Sequence, residues 1–246
     1  MRNIKVILQY EGTRYQGWQR QDSTGNTIQG KLEALLTRMC GQKVEVSGSG
    51  RTDAGVHAYG QVANFHIETA MALPEIMDYM NQYLPEDIAV TDIEEMPERF
   101  HSRLNSKGKI YRYRVINSSV PHIFDRRYAY TVEEKLDMEA MECAARLLCG
   151  THDYKAFTSN KRSRKSTVRT VDSILIEKKG DEICFTFQGN GFLYHMVRIM
   201  MGTLLEVGMH KREAAQIEKL FESGTRDDAG YLVPAKGLAL VEVFYT

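Results

Sequence analysis

Residues Lys109 to Asn117, KIYRYRVIN, alternate between apolar or aromatic and charged side chains. Period-2 alternation is the mark of a half-buried strand. It puts Tyr111 and Tyr113 on one face and Arg112 and Arg114 on the other. This strand opens the second of two stretches with the same order of elements. Before it, residues 4–10 read as a strand. Thr27 to Cys40 reads as a helix, with Ile28, Leu32, Leu35, Leu36 and Met39 on one face. Lys43–Ser47 and Gly60–Glu68 alternate as strands do. Pro74 suits the first turn of a helix running to about Tyr83, and Ile88–Met96 reads as a strand ended by Pro97. The order is β-α-β-β-α-β.

After the strand at 109–117, Glu133–Cys149 is amphipathic and Gly150 is a natural helix stop. Val168–Lys178 and Glu182–Gln188 read as a hairpin turning at Lys179-Gly180-Asp181. Tyr194–Val207 and Glu213–Ser223 read as helices, and Leu238–Tyr245 as a final strand. The order repeats without repeated residues. Each half is therefore expected to be a split βαβ, ferredoxin-like unit in an α+β chain. The join falls between Pro97 and Lys107 with no Gly/Ser linker, which favours one continuous sheet over two independent domains. The expected halves are 1–104 and 105–246.

The chain has 246 residues, 43% apolar and 26% charged, which excludes disordered and collagen-like classes. No run approaches the ~18 apolar residues of a membrane span. The opening MRNIKVILQYEG places charge and a short alternation where a secretory signal needs a continuous apolar stretch, so a cytoplasmic location is expected. Cys40, Cys143, Cys149 and Cys184 form no CxxC pair, which argues against a disulfide framework or a cysteine zinc site. The seven histidines show no HxH, HxxxH or HExxH spacing, so no metal site is readable.

The net charge of zero hides segregation. Thr52–Glu98 holds ten acids and no Lys or Arg. Arg99–Arg114 and Tyr154–Val171 each hold six Lys or Arg and no acid. One such run is usually a solvated face; two point to a polyanionic partner.

The densest chemical signal is Gly48-Ser49-Gly50-Arg51-Thr52-Asp53-Ala54-Gly55-Val56-His57-Ala58. It lacks the Gly-Lys-Ser/Thr of a phosphate loop. It leads into a strand, unlike a dinucleotide fingerprint, and it has no nucleophile elbow. Asp53 fits an Asx-type turn. It equally fits a carboxylate held by glycines where a substrate approaches closely, as a nucleophile, acid or base. Arg198 lies inside Tyr194–Gly202, a stretch apolar on nearly every side. It either snorkels to solvent or meets a buried acid, for which Asp53 is the candidate.

Gly50–Ala58 resembles the signature of the tRNA pseudouridine synthase A family. Tyr10–Gln19, Phe100–Arg103, Lys109–Tyr113, Gly150–Tyr154 with Phe157, Phe192–Arg198 and Pro234–Leu238 resemble its other segments, in order along the whole chain. Tyr154 stands where Phe is more usual, a change that keeps the ring. The resemblance implies two ferredoxin-like halves forming one continuous mixed, mainly antiparallel sheet with helices on one face. It implies isomerisation of uridine to pseudouridine at positions 38, 39 and 40 of the tRNA anticodon stem-loop, in a homodimer. The change is redox-neutral, so no cofactor is implied. Asp53 matches the nucleophile, which would attack C6 of the uracil or C1′ of the ribose. Tyr111 matches the tyrosine that stacks on the target base and assists proton removal from C5. Arg51 matches the arginine that helps extrude the base, and Arg198 the one that pairs with the carboxylate. Arg112, beside Tyr111, is expected to contact substrate, and the basic stretches to contact phosphates.

Three rivals stand beside this reading. A non-catalytic RNA-binding module has no use for a carboxylate facing phosphates. A nucleobase hydrolase needs a second acid or base near Asp53. A metal nuclease needs an acid cluster, for which 86–98 is a poor match.

Overall fold

A computed structural model describes residues 1–160, 166–222 and 224–245. Part of the second basic stretch, residues 161–165, lies outside the described residues, as does Ser223. Among the described residues, ten strands and five α-helices make an α+β fold with mixed, mainly antiparallel pairing. The chain divides into two compact units. One is Met1–Lys107 with the segment from Ala239 onward, and the other is Gly108–Leu238.

The first unit follows the expected β-α-β-β-α-β order. Its elements are β1 (Arg2–Tyr10), α1 (Ile28–Cys40), β2 (Val46–Gly48), β3 (His57–Ile67), α2 (Leu73–Tyr83) and β4 (Ile88–Met96). β1 lies between β4 and β3, antiparallel to both. β2 pairs antiparallel with the far edge of β3, giving the order β4-β1-β3-β2 of a split βαβ unit. β10 (Leu238–Phe244) returns to this unit and pairs parallel with β3 at Ala239 and Leu240.

Local chemistry sets the helix ends. The Thr27 hydroxyl accepts from Gly30 N at 3.2 Å, and Gly41 stops α1 at φ 68°. Pro74 occupies the first turn of α2, where its missing N–H costs nothing. Ile28, Leu32, Leu35 and Leu36 are buried as expected, and Met39 is half-buried. The strand expected at Lys43–Ser47 is confined to Val46–Gly48. Val44 N instead bonds the Thr37 hydroxyl, and Val46 N bonds the Glu33 carboxylate, so side chains of α1 satisfy this backbone. Glu33 is itself buried, and its charge is held by Arg20 at 2.7 Å.

β3 is buried on both faces rather than one along most of its length. Its polar side chains are accordingly bonded. Asn64 donates to Asn3 Oδ1 and accepts from Ser102 N, and Asn3 donates to the carbonyls of Pro97 and Phe100. The Ser102 hydroxyl donates to Ser47 O, and Tyr245 OH donates to Ser102 O. These bonds explain why the Phe100–Arg103 segment carries a recognisable pattern.

The second unit contains β5 (Gly108–Asn117), β6 (Tyr130–Val132), α3 (Met138–Leu148), β7 (Gly150–Asp153), β8 (Val168–Lys179), β9 (Glu182–Gly189), α4 (Met196–Gly208) and α5 (Gln216–Glu222). β5 pairs antiparallel with β9, β9 with β8 and β8 with β7; β6 runs parallel to β5. The hairpin turns at Gly180, φ 59°. Tyr111 and Tyr113 stand opposite Phe187 and Phe185, and this face of β5 is buried.

Three expectations are corrected here. α3 begins at Met138, not Glu133, because the Asp137 carboxylate caps Ala140 N at 3.0 Å. Two short strands, β6 and β7, were not foreseen. α4 begins at Met196 because Tyr194 and His195 form a turn with His195 left-handed at φ 66°. α4 is buried on nearly every side, as its composition suggested. A Cβ on Gly202 would collide with Tyr231 O, so the 230–231 backbone rests directly on the helix. Gly230 N confirms this seat by donating to the Thr203 hydroxyl.

Candidate active site

In the first unit the 48–57 loop is held from two sides. Beneath it lies a buried neutral network. Ser49 Oγ donates to Gln61 Oε1 at 2.7 Å, and Gln61 Nε2 donates to Gly50 O at 3.0 Å and reaches Tyr10 OH at 3.4 Å. Tyr10 OH bonds the Thr52 hydroxyl at 2.8 Å. Burial pushes the Tyr10 phenol up to about 12, against the lowering effect of its bonds to Thr52 and Gln61, so it stays a protonated hydrogen-bonding group.

Beside the loop runs the 10–19 segment. Trp18 N donates to Thr52 O at 3.0 Å, and Gly55 N donates to Tyr15 O at 3.3 Å. Val56 N donates to Asp53 O at 3.1 Å, closing a tight turn with Gly55 at φ 78°. Tyr15 is anchored in turn by Asp87, which accepts its hydroxyl at 2.5 Å and pairs with Arg14 at 2.7 Å. His57 is buried, and its Nδ1 accepts from Gly12 N at 3.0 Å, which gives the ring a structural task.

Two glycines permit this approach. Gly17 has φ 89°, and a Cβ there would lie 2.7 Å from Thr52 O. A Cβ on Gly12 would collide with the carbonyl oxygen of Val56. Gly12→Ala is therefore expected to lower the melting temperature by about 3–10 °C, the equivalent of ~1–3 kcal/mol of overpacking. Gly25→Ala, which meets nothing within 4 Å, serves as the control. Equal melting of both variants would show that the loop is not tightly clamped.

On this frame Asp53 is half-buried and Arg51 exposed. Arg51 Nε donates to Gln19 Oε1 at 3.0 Å. The same loop carries Asp53 and Arg51, two positions apart in sequence.

In the second unit, Tyr111 is 8% exposed and meets Phe192 edge-on, with ring centroids 5.3 Å apart and planes at 86°. Tyr113 is fully buried, and its hydroxyl donates to Pro234 O at 2.7 Å. Burial raises the Tyr113 phenol, while the Arg198 charge pulls it back. Arg198 Nε donates to Val233 O at 2.9 Å. A Cβ on Gly237 would lie 2.6 Å from the Tyr113 ring. Thus the 233–237 segment takes a bond from each of Arg198 and Tyr113. Arg112 lies on the opposite face of β5 from Tyr111, exposed, beside Arg114 with its partners Glu182 and Asp125.

Gln61, Ser49, Tyr10 and Asp87 were not singled out from sequence. Gln61 stood in a strand that also carries His57, Asn64 and His66, so nothing in the sequence set it apart. Asp87 gave none, since its bonds reach 72 residues back to Tyr15. Among the described residues no group of three His, Cys, Asp or Glu side chains could hold a metal ion. Among them no helix is long and apolar enough to cross a membrane.

Comparison with known proteins agrees with the motifs. A family model described as tRNA pseudouridine synthase matches residues 6–105 and 144–246. The chain is 46% identical over 240 residues to a tRNA pseudouridine synthase A of Bacillus sp. (strain KSM-64), covering 98% of each chain. It is 46% identical over 245 residues to tRNA pseudouridine synthase A 1 of Clostridium tetani, covering 100% of each. The corresponding protein of Acetivibrio thermocellus is 44% identical over 245 residues, again with 100% coverage of each.

Proposed function

The chain belongs to the tRNA pseudouridine synthase family and is an isomerase of its A type, and from that premise we propose that it converts uridines 38, 39 and 40 of the tRNA anticodon stem-loop, with Asp53 as nucleophile. The observation that carries the reading is the Asp53 loop. A carboxylate at the centre of the signature stands half-buried on backbone held by Trp18, Tyr15 and Gln61. Preorganisation of this kind holds a nucleophile in line without reorganisation at the moment of reaction.

A uridine in a stem must leave its stack first, at a cost of about a few kcal/mol. Arg51, exposed at the rim of the loop, occupies the vacated space. The extruded uracil stacks on Tyr111, which offsets about 1–3 kcal/mol of that cost. The Asp53 carboxylate then adds to C6 or displaces the base at C1′. In either course the C1′–N1 bond breaks, the uracil rotates, and C1′ bonds to C5. Loss of the C5 proton and release of the carboxylate restore the enzyme, with no net oxidation or hydrolysis. Arg198 is assigned as the cationic partner of the Asp53 carboxylate. Arg112, exposed on the face of β5 away from Tyr111, contacts the substrate outside the stacked base. The basic residues of 99–114 and 154–171 contact phosphates, and the protein acts as a cytoplasmic homodimer.

The test is pseudouridine mapping on an unmodified tRNA transcript carrying uridine at all three positions, incubated with the purified chain. Conversion at 38, 39 and 40 is expected. Conversion confined to another arm of the tRNA overturns the site assignment while leaving the isomerase class intact.

A further inference from the structure

Tyr194 and His195 form a stacked ring pair just before α4, with centroids 3.7 Å apart and planes at 26°. One face of the Tyr194 ring lies on His195, and the residue is still 55% exposed. His195 is one of two non-glycine residues with positive φ among the described residues. A left-handed conformation is costly for a residue with a Cβ and persists where neighbours over-determine it. Those neighbours are Thr158 and Ser159. The Thr158 hydroxyl donates to Tyr194 O at 3.0 Å, Ser159 N donates to the same oxygen at 3.4 Å, and Ser159 Oγ bonds His195 Nδ1 at 2.9 Å.

This clamp does not bury the tyrosine; it holds it out, flat and pre-stacked. Rigid aromatic area with one face already covered is what a nucleobase uses, because less side-chain freedom remains to be lost on binding. The surroundings suit an RNA. The Arg169 side chain of β8 lies about 4 Å from the Cβ position of Gly191, three residues before Tyr194. The clamping residues lie in the acid-free run 154–171. Phe192, two residues before Tyr194, is the ring that meets Tyr111.

We propose that the Tyr194–His195 pair is a second stacking platform, which takes an unpaired nucleobase of the substrate tRNA on the outer face of Tyr194. The proposal rests on tRNA being the substrate. It assigns Tyr194 and His195 to binding, not to bond making.

The experiment measures the Kd of an unmodified tRNA transcript across a salt series for wild type, Tyr194→Ala, Tyr194→Phe and His195→Gly. Tyr194→Ala is expected to weaken binding roughly 5- to 100-fold at every salt concentration. The slope of log Kd against log salt should not change, since no phosphate contact is lost. Tyr194→Phe should stay within about twofold, because stacking needs the ring alone. Glycine adopts the left-handed backbone without strain, so His195→Gly preserves the turn while removing the ring beneath Tyr194. It should weaken binding at least about twofold. It also carries the test if Tyr194→Ala does not fold, as judged by circular dichroism. Wild-type affinity in folded Tyr194→Ala, or in His195→Gly where it carries the test, overturns the proposal. So does a Tyr194→Phe variant as weak as Tyr194→Ala, which would place the contact on the hydroxyl. A wild-type chain that modifies tRNA while Tyr194→Ala binds normally sinks this inference alone. A wild-type chain that does not bind tRNA sinks the functional reading with it.

Discussion

Asp53→Asn is expected to lower turnover by about 10⁴-fold or more, the order lost when an enzyme loses a member of its nucleophilic machinery, while tRNA affinity is retained or slightly increased. The structural reason lies in the other bonds that hold the loop. Its shape is held by backbone and neighbouring side chains. Trp18 N bonds Thr52 O, Gly55 N bonds Tyr15 O, and Gln61 and Tyr10 hold Gly50 and Thr52. Asparagine has the volume of aspartate, so nothing in that frame moves. Removing a negative charge from a surface that meets phosphates also removes a repulsion. Tritium release from tRNA labelled at C5 of uridine reads the turnover, and filter binding reads the affinity. Asp53→Ala, run in parallel, guards against slow deamidation of the asparagine back to aspartate. Turnover within tenfold of wild type in both variants would remove Asp53 as nucleophile. Loss of binding together with turnover would show instead that the carboxylate holds the loop.

Much of the architecture was legible because it depends on periodicity. Lys109–Asn117 alternates and is β5, and the apolar Met196–Gly208 is a helix with almost no exposed face. What escaped was set by contacts distant in sequence or by single side chains. β6 and β7 are three and four residues long, too short to show a period, and exist because β5 and β8 offer edges to pair with. The start of α3 is decided by one carboxylate, Asp137. The Asp53 loop was visible as a motif, but its frame was not. Tyr15 and Asp87 meet at the end of the β1–β4 ladder, where Glu11 N also bonds Asp87 O. Gly12 and Gly17 stood within a recognisable segment, yet the collision each avoids is with backbone some 35–44 residues later. Alternation alone placed Arg112 on the face of the strand away from Tyr111, and β5 has it there, exposed.

Tyr111→Phe separates two tasks that one side chain is proposed to perform. Phenylalanine keeps the ring, its edge contact with Phe192 and its place opposite Phe187. Stacking on a uracil therefore survives, and tRNA affinity should stay within about twofold. The hydroxyl is lost, and with it any part in taking the proton from C5. A positioned proton-transfer group contributes about 10²–10⁴-fold, so kcat should fall by at least about 100-fold at saturating tRNA. Tyr111→Ala cannot make this distinction. It removes the stack and also opens a cavity beside the buried Tyr113, at a cost of ~3–5 kcal/mol in a position 8% exposed. The decisive quantity is the ratio of the two losses in the phenylalanine variant. A fall in kcat with unchanged affinity assigns the proton to the phenol. An unchanged kcat confines Tyr111 to stacking and sends the search for the base to another group.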